Sequence, residues 1–544
     1  MSGADSPDLR IALAQLNLLV GDVAGNTQRI LQSLHEARDA GAGLVLFPEL
    51  AVCGYPPEDL LFHAGLRQQV ANSLETIREN STDLIAVVGY PEYADKGIYN
   101  SAVAFRGGEV LGNYRKHCLP NYSVFDEERY FEVGDAPCVI NAGGIRVGLT
   151  ICEDVWEAEP CREAAAAGAQ LIVSINGSPF RVGKQPEREK VLAERARDTG
   201  LPVIYQNLVG GQDELVFDGG SCAVDADGTT LYRAPAFTEC LGMVDCRLQD
   251  GRVQIAAGEV TAQADEEASI YAALVTGVHD YVEKNGFPGV VLGLSGGIDS
   301  ALTLAIAADA LGAERVQAVM MPYEWTADIS KADAAEQAKR LGVDYEVLPI
   351  ETIVHATRDV LAELFAGRGQ DTTEENIQSR SRGMLLMAIS NKTGRMVLAT
   401  GNKSEMAVGY ATLYGDMAGG YSPIKDCPKT LVYRLARYRN GLDPVIPERV
   451  IERPPTAELA PDQLDTDSLP PYEVLDGILD ALMLDDLSVD GIVDKGFDRE
   501  TVVQVVERVR RNEYKRRQAS PGVRISARAF GRDWRYPITS GYRH

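Results

Sequence analysis

The stretch GVVLGLSGGIDSALTLAIAADALG, residues 289–312, joins an apolar strand to an apolar helix through a short loop of serines, glycines and one aspartate. Glycine lets backbone N–H groups approach an anion closely, and the N-terminus of the following helix adds the positive end of its dipole. Gly293, Leu294, Ser295, Gly296, Gly297, Ile298, Asp299 and Ser300 therefore read as a phosphate cradle. The pattern G-x-x-x-x-G-K-[ST] is absent, so no lysine of this loop grips a transferable phosphate as in a kinase. Asp299 instead sets a carboxylate beside the phosphates, where Mg²⁺ is needed to keep the two from repelling.

Downstream the alternation continues with VQAVMMP, a helical SKADAAEQAKRLG and then YEVLPI. Strands separated by ten to fifteen helical residues are the signature of right-handed crossovers in a parallel sheet. Residues 269–544 are thus expected to form an α/β domain with a doubly wound parallel sheet. Upstream lies a different alternation, IALAQLNL, LVLFPEL, LIAVVGYPE, SAVAFRGG, IRVGLTICEDVW, LIVSING, LPVIYQNLVGG and GSCAVDADG, again apolar runs bounded by Gly, Pro and Asn. Thr27 to Ala40 and Glu187 to Thr199 carry apolar residues at three- and four-residue spacing, which predicts helices lying on a sheet. Residues 1–250 make a first α/β domain, and the small, acidic, aperiodic stretch 251–268 reads as the connector. No internal repeat relates the two halves.

At 544 residues the chain exceeds what one hydrophobic core serves, in keeping with two domains. Its net charge of −26 argues against nucleic acid or an anionic membrane as partner, so any anionic substrate must be held by local cations. No apolar run reaches the ~20 residues of a membrane span, and MSGADSPDLRIALAQLN carries acids where a signal peptide carries bases, which points to the cytoplasm. The nine cysteines include no C-x-x-C pair, excluding a zinc ribbon, and six scattered histidines make imidazole chemistry a poor expectation.

S-G-G-I-D-S resembles the signature of the ATP pyrophosphatases, which adenylylate a substrate oxygen and release pyrophosphate. Several synthetases share it, so the loop implies a reaction class rather than a substrate. The stretch from Glu375 to Asp416 is more specific: T-G-N-K-S-E at 400–405, followed by A-V-G-Y and G-D, resembles the NAD synthetase family. That resemblance implies ATP bound by the 293–300 loop and Thr400, Mg²⁺ held by Asp299 and Glu405, and deamido-NAD (nicotinic acid adenine dinucleotide) met by Asn376, Glu405 and Lys515. Relatives of that family assemble as homo-oligomers, which implies at least a dimer.

Amidation needs neutral ammonia, and the N-terminal half offers a source. Glu49 in LVLFPEL, Lys116 in NYRKHCLP and Cys152 in RVGLTICEDVW each lie at or just past the end of an apolar strand, where sheets bring distant side chains to one edge. A carboxylate within reach takes the thiol proton as sulfur attacks an amide carbon, and an ammonium stabilises the oxyanion. His117 is a weaker partner, because it follows Lys116 directly and neighbours in an extended segment point to opposite faces. The three residues resemble the Glu-Lys-Cys triad of the nitrilase superfamily, with an αββα sandwich implied, and NGSPF with YQNLVGGQDELVFDGGS is similar to its glutaminase branch. A second glutamate is usual there, and either Glu127 or Glu128 suits the place. The resemblance further implies that Tyr122, Ser178 and Lys184 position glutamine, although Ser178 capping NGSPF and Lys184 opening a helix are purely structural readings of the same residues.

The combined expectation is a ligase that makes NAD from deamido-NAD, ATP and glutamine-derived ammonia. Its rivals are an amidotransferase acting on another acid, and a sensor that binds without turnover.

Overall fold

The computed structural model describes residues 8–461 and 463–542. The chain divides into two compact units, the first ending at Ala264 and the second beginning at Asp265.

The first unit alternates strands and helices in the order β1 (Leu9–Gln15), α1 (Val23–Asp39), β2 (Leu44–Leu46), α2 (Ala64–Asn80), β3 (Ile85–Ala94), β4 (Gly97–Arg106), β5 (Glu109–Arg115), β6 (Cys138–Ala142), β7 (Ile145–Ile151), α3 (Ala158–Ala166), β8 (Leu171–Asn176) and α4 (Lys184–Thr199). Seven strands follow: β9 (Val203–Asn207), β10 (Val209–Gln212), β11 (Leu215–Asp218), β12 (Cys222–Val224), β13 (Thr230–Arg233), β14 (Cys240–Gln249) and β15 (Arg252–Ile255). One sheet has the order β15-β14-β1-β2-β3-β4-β5 and another the order β13-β12-β9-β8-β7-β6. Their inner faces close on each other through Ile11, Leu13, Leu46, Val87, Val147, Leu149 and Val173, all buried.

On the outer faces, Ile30, Leu34, Val70 and Ile77 of α1 and α2 cover the seven-stranded sheet, while Cys161, Leu192 and Ala196 of α3 and α4 cover the other. The result is an α-β-β-α sandwich. Its helices follow from local chemistry: Asp22 caps α1 by accepting from the Gly25 N–H at 2.9 Å, and Ile30, Leu34 and Ala37 repeat on the buried face. The expected connector at 251–268 is shorter than that, because β15 occupies 252–255 and pairs with β14, and the first helix of the second unit begins at Glu266. Val253 and Ile255 face inward and Arg252 and Gln254 outward, an alternation only four residues long and hidden in an acidic context.

The second unit runs α5 (Glu266–Lys284), β16 (Val290–Gly293), α6 (Ile298–Leu311), β17 (Val316–Met320), α7 (Asp328–Leu341), β18 (Asp344–Val347), α8 (Glu351–Leu361), α9 (Thr372–Thr393), β19 (Met396–Leu398), α10 (Lys403–Val408) and α11 (Lys429–Leu442), followed by further short helices. The four strands are parallel in the order β18-β17-β16-β19. Val291, Val319 and Val397 pack against Val354 of α8 and Leu386 of α9, and strand alternation turns Val290, Leu292 and Ala318 to the opposite face. Strand order reverses between β16 and β19, and open α/β sheets bind ligands outside the carboxyl ends of strands at such a switch point. Among the described residues no helix is long and apolar enough to cross a membrane.

Candidate active sites

Glu49 follows β2, Lys116 follows β5 and Cys152 follows β7, so three strand ends deliver the three side chains. Lys116 is fully buried and donates to Glu49 Oε1 at 2.8 Å and to Glu127 at 2.9 and 2.7 Å. Glu49 is completed by Asn100 at 2.8 Å on Oε1 and by the Gly177 N–H at 2.8 Å on Oε2. Cys152, also buried, opens the 3₁₀ turn Cys152–Val155 with φ +45, a left-handed conformation rare outside glycine. Gly89 of β3 is what lets the Glu49 turn lie so close, since a Cβ there would stand 2.5 Å from Leu50 N and Pro48 O.

Burial disfavours the charge of Lys116, but Glu127 and Glu49 outweigh it and hold the ammonium well above the ordinary lysine value. Burial also pushes the Cys152 thiol well up, with Glu49 adding to the rise and Lys116 opposing it. Glu127 is lifted to about 7, chiefly by burial. Of the two candidate second glutamates, Glu127 is the one that meets Lys116, whereas Glu128 accepts from Asn121 at 3.1 Å.

Three residues that sequence reading passed over hold this arrangement. Tyr55 donates to Glu127 at 2.9 Å. Asn100 sits inside β4 and reads as sheet interior. Asp154 is fully buried and accepts from four donors: Ile151 N–H and Tyr114 O–H at 2.9 Å each on Oδ2, and His117 N–H at 3.1 Å and Cys118 N–H at 2.9 Å on Oδ1. It thus fastens the turn of the cysteine to the segment just after Lys116. The His117 ring turns to Glu163 at 3.1 Å and rests on Tyr114.

Tyr122, Ser178 and Lys184 lie around the same strand ends. Tyr122 donates to Glu153 at 2.8 Å. Ser178 is buried, its N–H bound to Asn207 at 3.0 Å. Lys184 opens α4 and sets its ammonium 3.5 Å from the Trp156 ring centroid, and burial lowers it to about 8.

In the second unit the loop after β16 is stitched by its own serines: Ser300 Oγ accepts from Ser295 N–H at 3.2 Å and donates to Gly297 O at 3.0 Å. Gly296 has φ +81, and a Cβ there would stand 2.4 Å from Ser330 O. Asn402, after β19, caps α10 through the Glu405 N–H at 3.0 Å and donates to Asp299 Oδ1 at 2.9 Å. The expected turn at 400–405 is therefore a capped short helix with Glu405 in its first turn, and Thr400 stands half-buried ahead of the cap.

Between Asp299 and Glu405 lies Lys429, buried, bonded to Asp299 Oδ2 and to Glu405 Oε1 at 3.0 Å. Burial lifts Glu405 to about 7, Lys429 pulling down and Asp299 pushing up. The lysine inside T-G-N-K-S-E, Lys403, turns instead to Asp426 at 2.8 Å. Asn376 and Lys515 stand apart from the carboxylates and grip one loop: Asn376 accepts from Thr412 at 2.9 Å, and Lys515 donates to Gly409 O and Ala411 O at 2.8 Å. That loop and α9 line a cavity of about 430 Å³ that includes Arg380, Met384, Tyr414 and Gln518.

Comparison with known proteins matches residues 10–255 to the carbon-nitrogen hydrolase family and residues 270–519 to the NAD synthase family. The chain is 48% identical over 537 residues to a glutamine-dependent NAD(+) synthetase of Acinetobacter baylyi, covering 98% of this chain and 99% of that one. The chain belongs to the glutamine-dependent NAD(+) synthetases. A second relative so named, from Xanthomonas campestris pv. campestris, is 50% identical over 547 residues and covers 99% of both chains. The structure of the Acinetobacter baumannii synthetase in complex with adenosine diphosphate superposes with a TM-score of 0.80 at 46% identity, covering 97% of this chain and 98% of that one.

In a synthetase of this family, Asp299 and Glu405 are the place to test for Mg²⁺. Both are carboxylates with side chains 18% and 17% exposed, reachable from solvent and bridged by a cation already. Mg²⁺ takes one or two carboxylates and completes its shell with phosphate oxygens and water. Among the described residues no group of three or more protein ligands forms a self-sufficient metal cage. This donor set fits a metal that arrives with phosphates.

Proposed function

We propose that the first unit releases ammonia from glutamine at Cys152 and that the second uses it to convert an adenylylated deamido-NAD into NAD. The observation that carries the first half is the buried ammonium of Lys116 held by Glu49 and Glu127, with Cys152 buried at the end of a neighbouring strand where burial disfavours its thiolate. Such a sulfur attacks only if its proton leaves during the attack, and Glu49 is the base that takes it. As the amide carbon becomes tetrahedral, charge collects on its oxygen, where Lys116 and the backbone N–H after Cys152 each stabilise it, typically by roughly 3 kcal/mol per donor. Glu49 returns the proton to the leaving nitrogen and ammonia departs. Water, with Glu49 again as base, then cleaves the thioester to glutamate. Tyr122, Ser178 and Lys184 position the substrate.

In the second unit Gly293, Leu294, Ser295, Gly296, Gly297, Ile298, Asp299 and Ser300 cradle the ATP phosphates, with Thr400 beside them. That the Acinetobacter baumannii relative was solved in complex with adenosine diphosphate supports binding of an adenine nucleotide by this chain. Asp299 and Glu405 would hold Mg²⁺, which would supply neutralising charge for the phosphates. Lys429, bonded to both carboxylates, keeps an ammonium at the same place. Asn376 and Lys515 fix the loop against which deamido-NAD lies, and the adjoining cavity suits part of so large a ligand. The nicotinate carboxylate attacks the α-phosphorus and expels pyrophosphate. Ammonia then attacks the acyl carbon and AMP leaves.

The test is to supply deamido-NAD, ATP and Mg²⁺ with either glutamine or ammonium. NAD, AMP and pyrophosphate should appear one for one in both cases, with glutamate only in the first. Formation of ADP and phosphate in place of AMP and pyrophosphate would refute the adenylate.

A further inference from the structure

With 53 basic residues against 79 acidic ones, the chain has to set particular cations aside for its anionic substrates. Near the phosphate loop three cations are already engaged: Lys403 by Asp426, Lys429 by Asp299 and Glu405, and Arg453 by the Gly296 carbonyl at 3.2 Å. Arg382 of α9 is different.

α9 ends at Thr393 and β19 starts at Met396, so the helix runs back against the strands and its N-terminal half lies toward their carboxyl ends. Leu386 packs beneath Gly293, where a Cβ would stand 3.5 Å from its Cδ1. Arg382 is one turn nearer the N-terminus on the same helix face, which brings it level with the loop that starts at Gly293. Its Nε donates to the Met321 carbonyl at 2.9 Å, just past β17, and among the described residues its two Nη groups form no hydrogen bond and no ion pair. Two carboxylates act on it through space. Glu458 accepts from the hydroxyl of Ser330, the residue pressed on Gly296, whereas Asp416 closes the 409–416 loop by accepting from the Thr412 N–H at 2.6 Å. The guanidinium thus stands between the phosphate cradle and the loop assigned to deamido-NAD. Burial lowers it to about 10 against the pull of Glu458 and Asp416, so it stays charged at neutral pH.

We infer that Arg382 is a catalytic residue of the adenylylation, its two Nη groups donating to the non-bridging oxygens of the ATP α-phosphate as the nicotinate carboxylate attacks. In that step a carboxylate oxygen bonds to the α-phosphorus, the bond from that phosphorus to the bridging oxygen breaks, and pyrophosphate leaves with the electron pair. Arg382 gives up no proton. Its parallel N–H donors match a pair of phosphate oxygens, and donors without a protein partner need not break a bond to meet the charge of the transition state. The inference rests on the reading of the second unit as an adenylylating synthetase.

The experiment follows exchange of labelled pyrophosphate into ATP by the full chain with deamido-NAD and Mg²⁺, without glutamine or ammonium, so that only adenylylation turns over. Wild type should exchange, and only when deamido-NAD is present. Arg382→Ala should lower the rate at saturating substrates by about 100-fold or more, while its ADP affinity by calorimetry stays within about threefold of wild type. Added guanidinium ion should recover at least about tenfold of that loss, and Arg382→Lys should fall between wild type and Arg382→Ala. An Arg382→Ala chain that exchanges at the wild-type rate overturns the inference. So does one that loses ADP binding together with exchange and gains nothing from guanidinium, since that marks a purely structural part. A wild type without deamido-NAD-dependent exchange removes the adenylylation reading itself, and the inference with it.

Discussion

Lys116 and Glu127 meet at 2.7 Å with their side chains 0% and 6% exposed, an ion pair wholly inside the first unit. Burial raises the Glu127 carboxyl from 4.5 to about 7, with Lys116 opposing and Glu49 reinforcing. Because the folded value is the higher one, the folded chain binds the extra proton. The stability this contributes is complete below about pH 4.5 and is lost as pH rises through about 7. Glu127→Gln should flatten that decline in denaturant midpoints between about pH 5 and about pH 8, and should lower glutamine hydrolysis by about 100-fold. A variant whose midpoints fall as steeply as those of wild type contradicts the assignment.

Asp154 ties the Cys152 turn to the segment after Lys116 through two N–H groups on that segment. Asp154→Asn puts an NH₂ against donors that need an acceptor, and a buried donor left unmet costs about 1–3 kcal/mol. Glutamate release should drop by at least about tenfold, while NAD formation from ammonium persists. Steady-state rates with the two nitrogen sources check this.

Gly296→Ala places a methyl group 2.4 Å from the Ser330 carbonyl at a backbone φ of +81. The loop has to move, so nucleotide binding measured by titration calorimetry should weaken beyond detection, and glutamine hydrolysis in the other unit should continue. Wild-type ADP affinity in this variant would mean that the loop does not hold the phosphates.

Lys429→Met leaves Asp299 and Glu405 facing each other without the ammonium. Breaking a largely buried ion pair costs on the order of 3 kcal/mol, so the unfolding transition of the second unit should shift down. NAD formation should fall by at least about 100-fold with either nitrogen source, because the phosphates lose a cation. Equal rates for variant and wild type would confine Lys429 to a structural part.

Residues announced by strand endings were the legible ones. Glu49 and Cys152 close apolar runs, so alternation places them at sheet edges, whereas Lys116 follows the mostly exposed strand EVLGNYR; the S-G-G-I-D-S loop marks its own strand-to-helix junction. Partners supplied from within or beyond elements were silent. Asn100 looks like sheet interior because it lies inside β4. Glu127 and Glu128 share one short 3₁₀ turn, where no periodicity separates neighbours. Lys429 stands 24 residues beyond Glu405 at the start of α11, in CPKTL, with nothing local to tie it to two acids. The strand at 252–255 was missed because four alternating residues fall below what a pattern resolves among acidic neighbours.

The central claim is that Cys152 makes the ammonia which the Asp299 loop consumes. It is tested most directly by the rate of NAD formation in Cys152→Ala with glutamine and, separately, with ammonium. The account predicts no detectable NAD from glutamine and a near wild-type rate from ammonium, with Asp299→Ala losing both. NAD formed from glutamine at the wild-type rate by Cys152→Ala would contradict it.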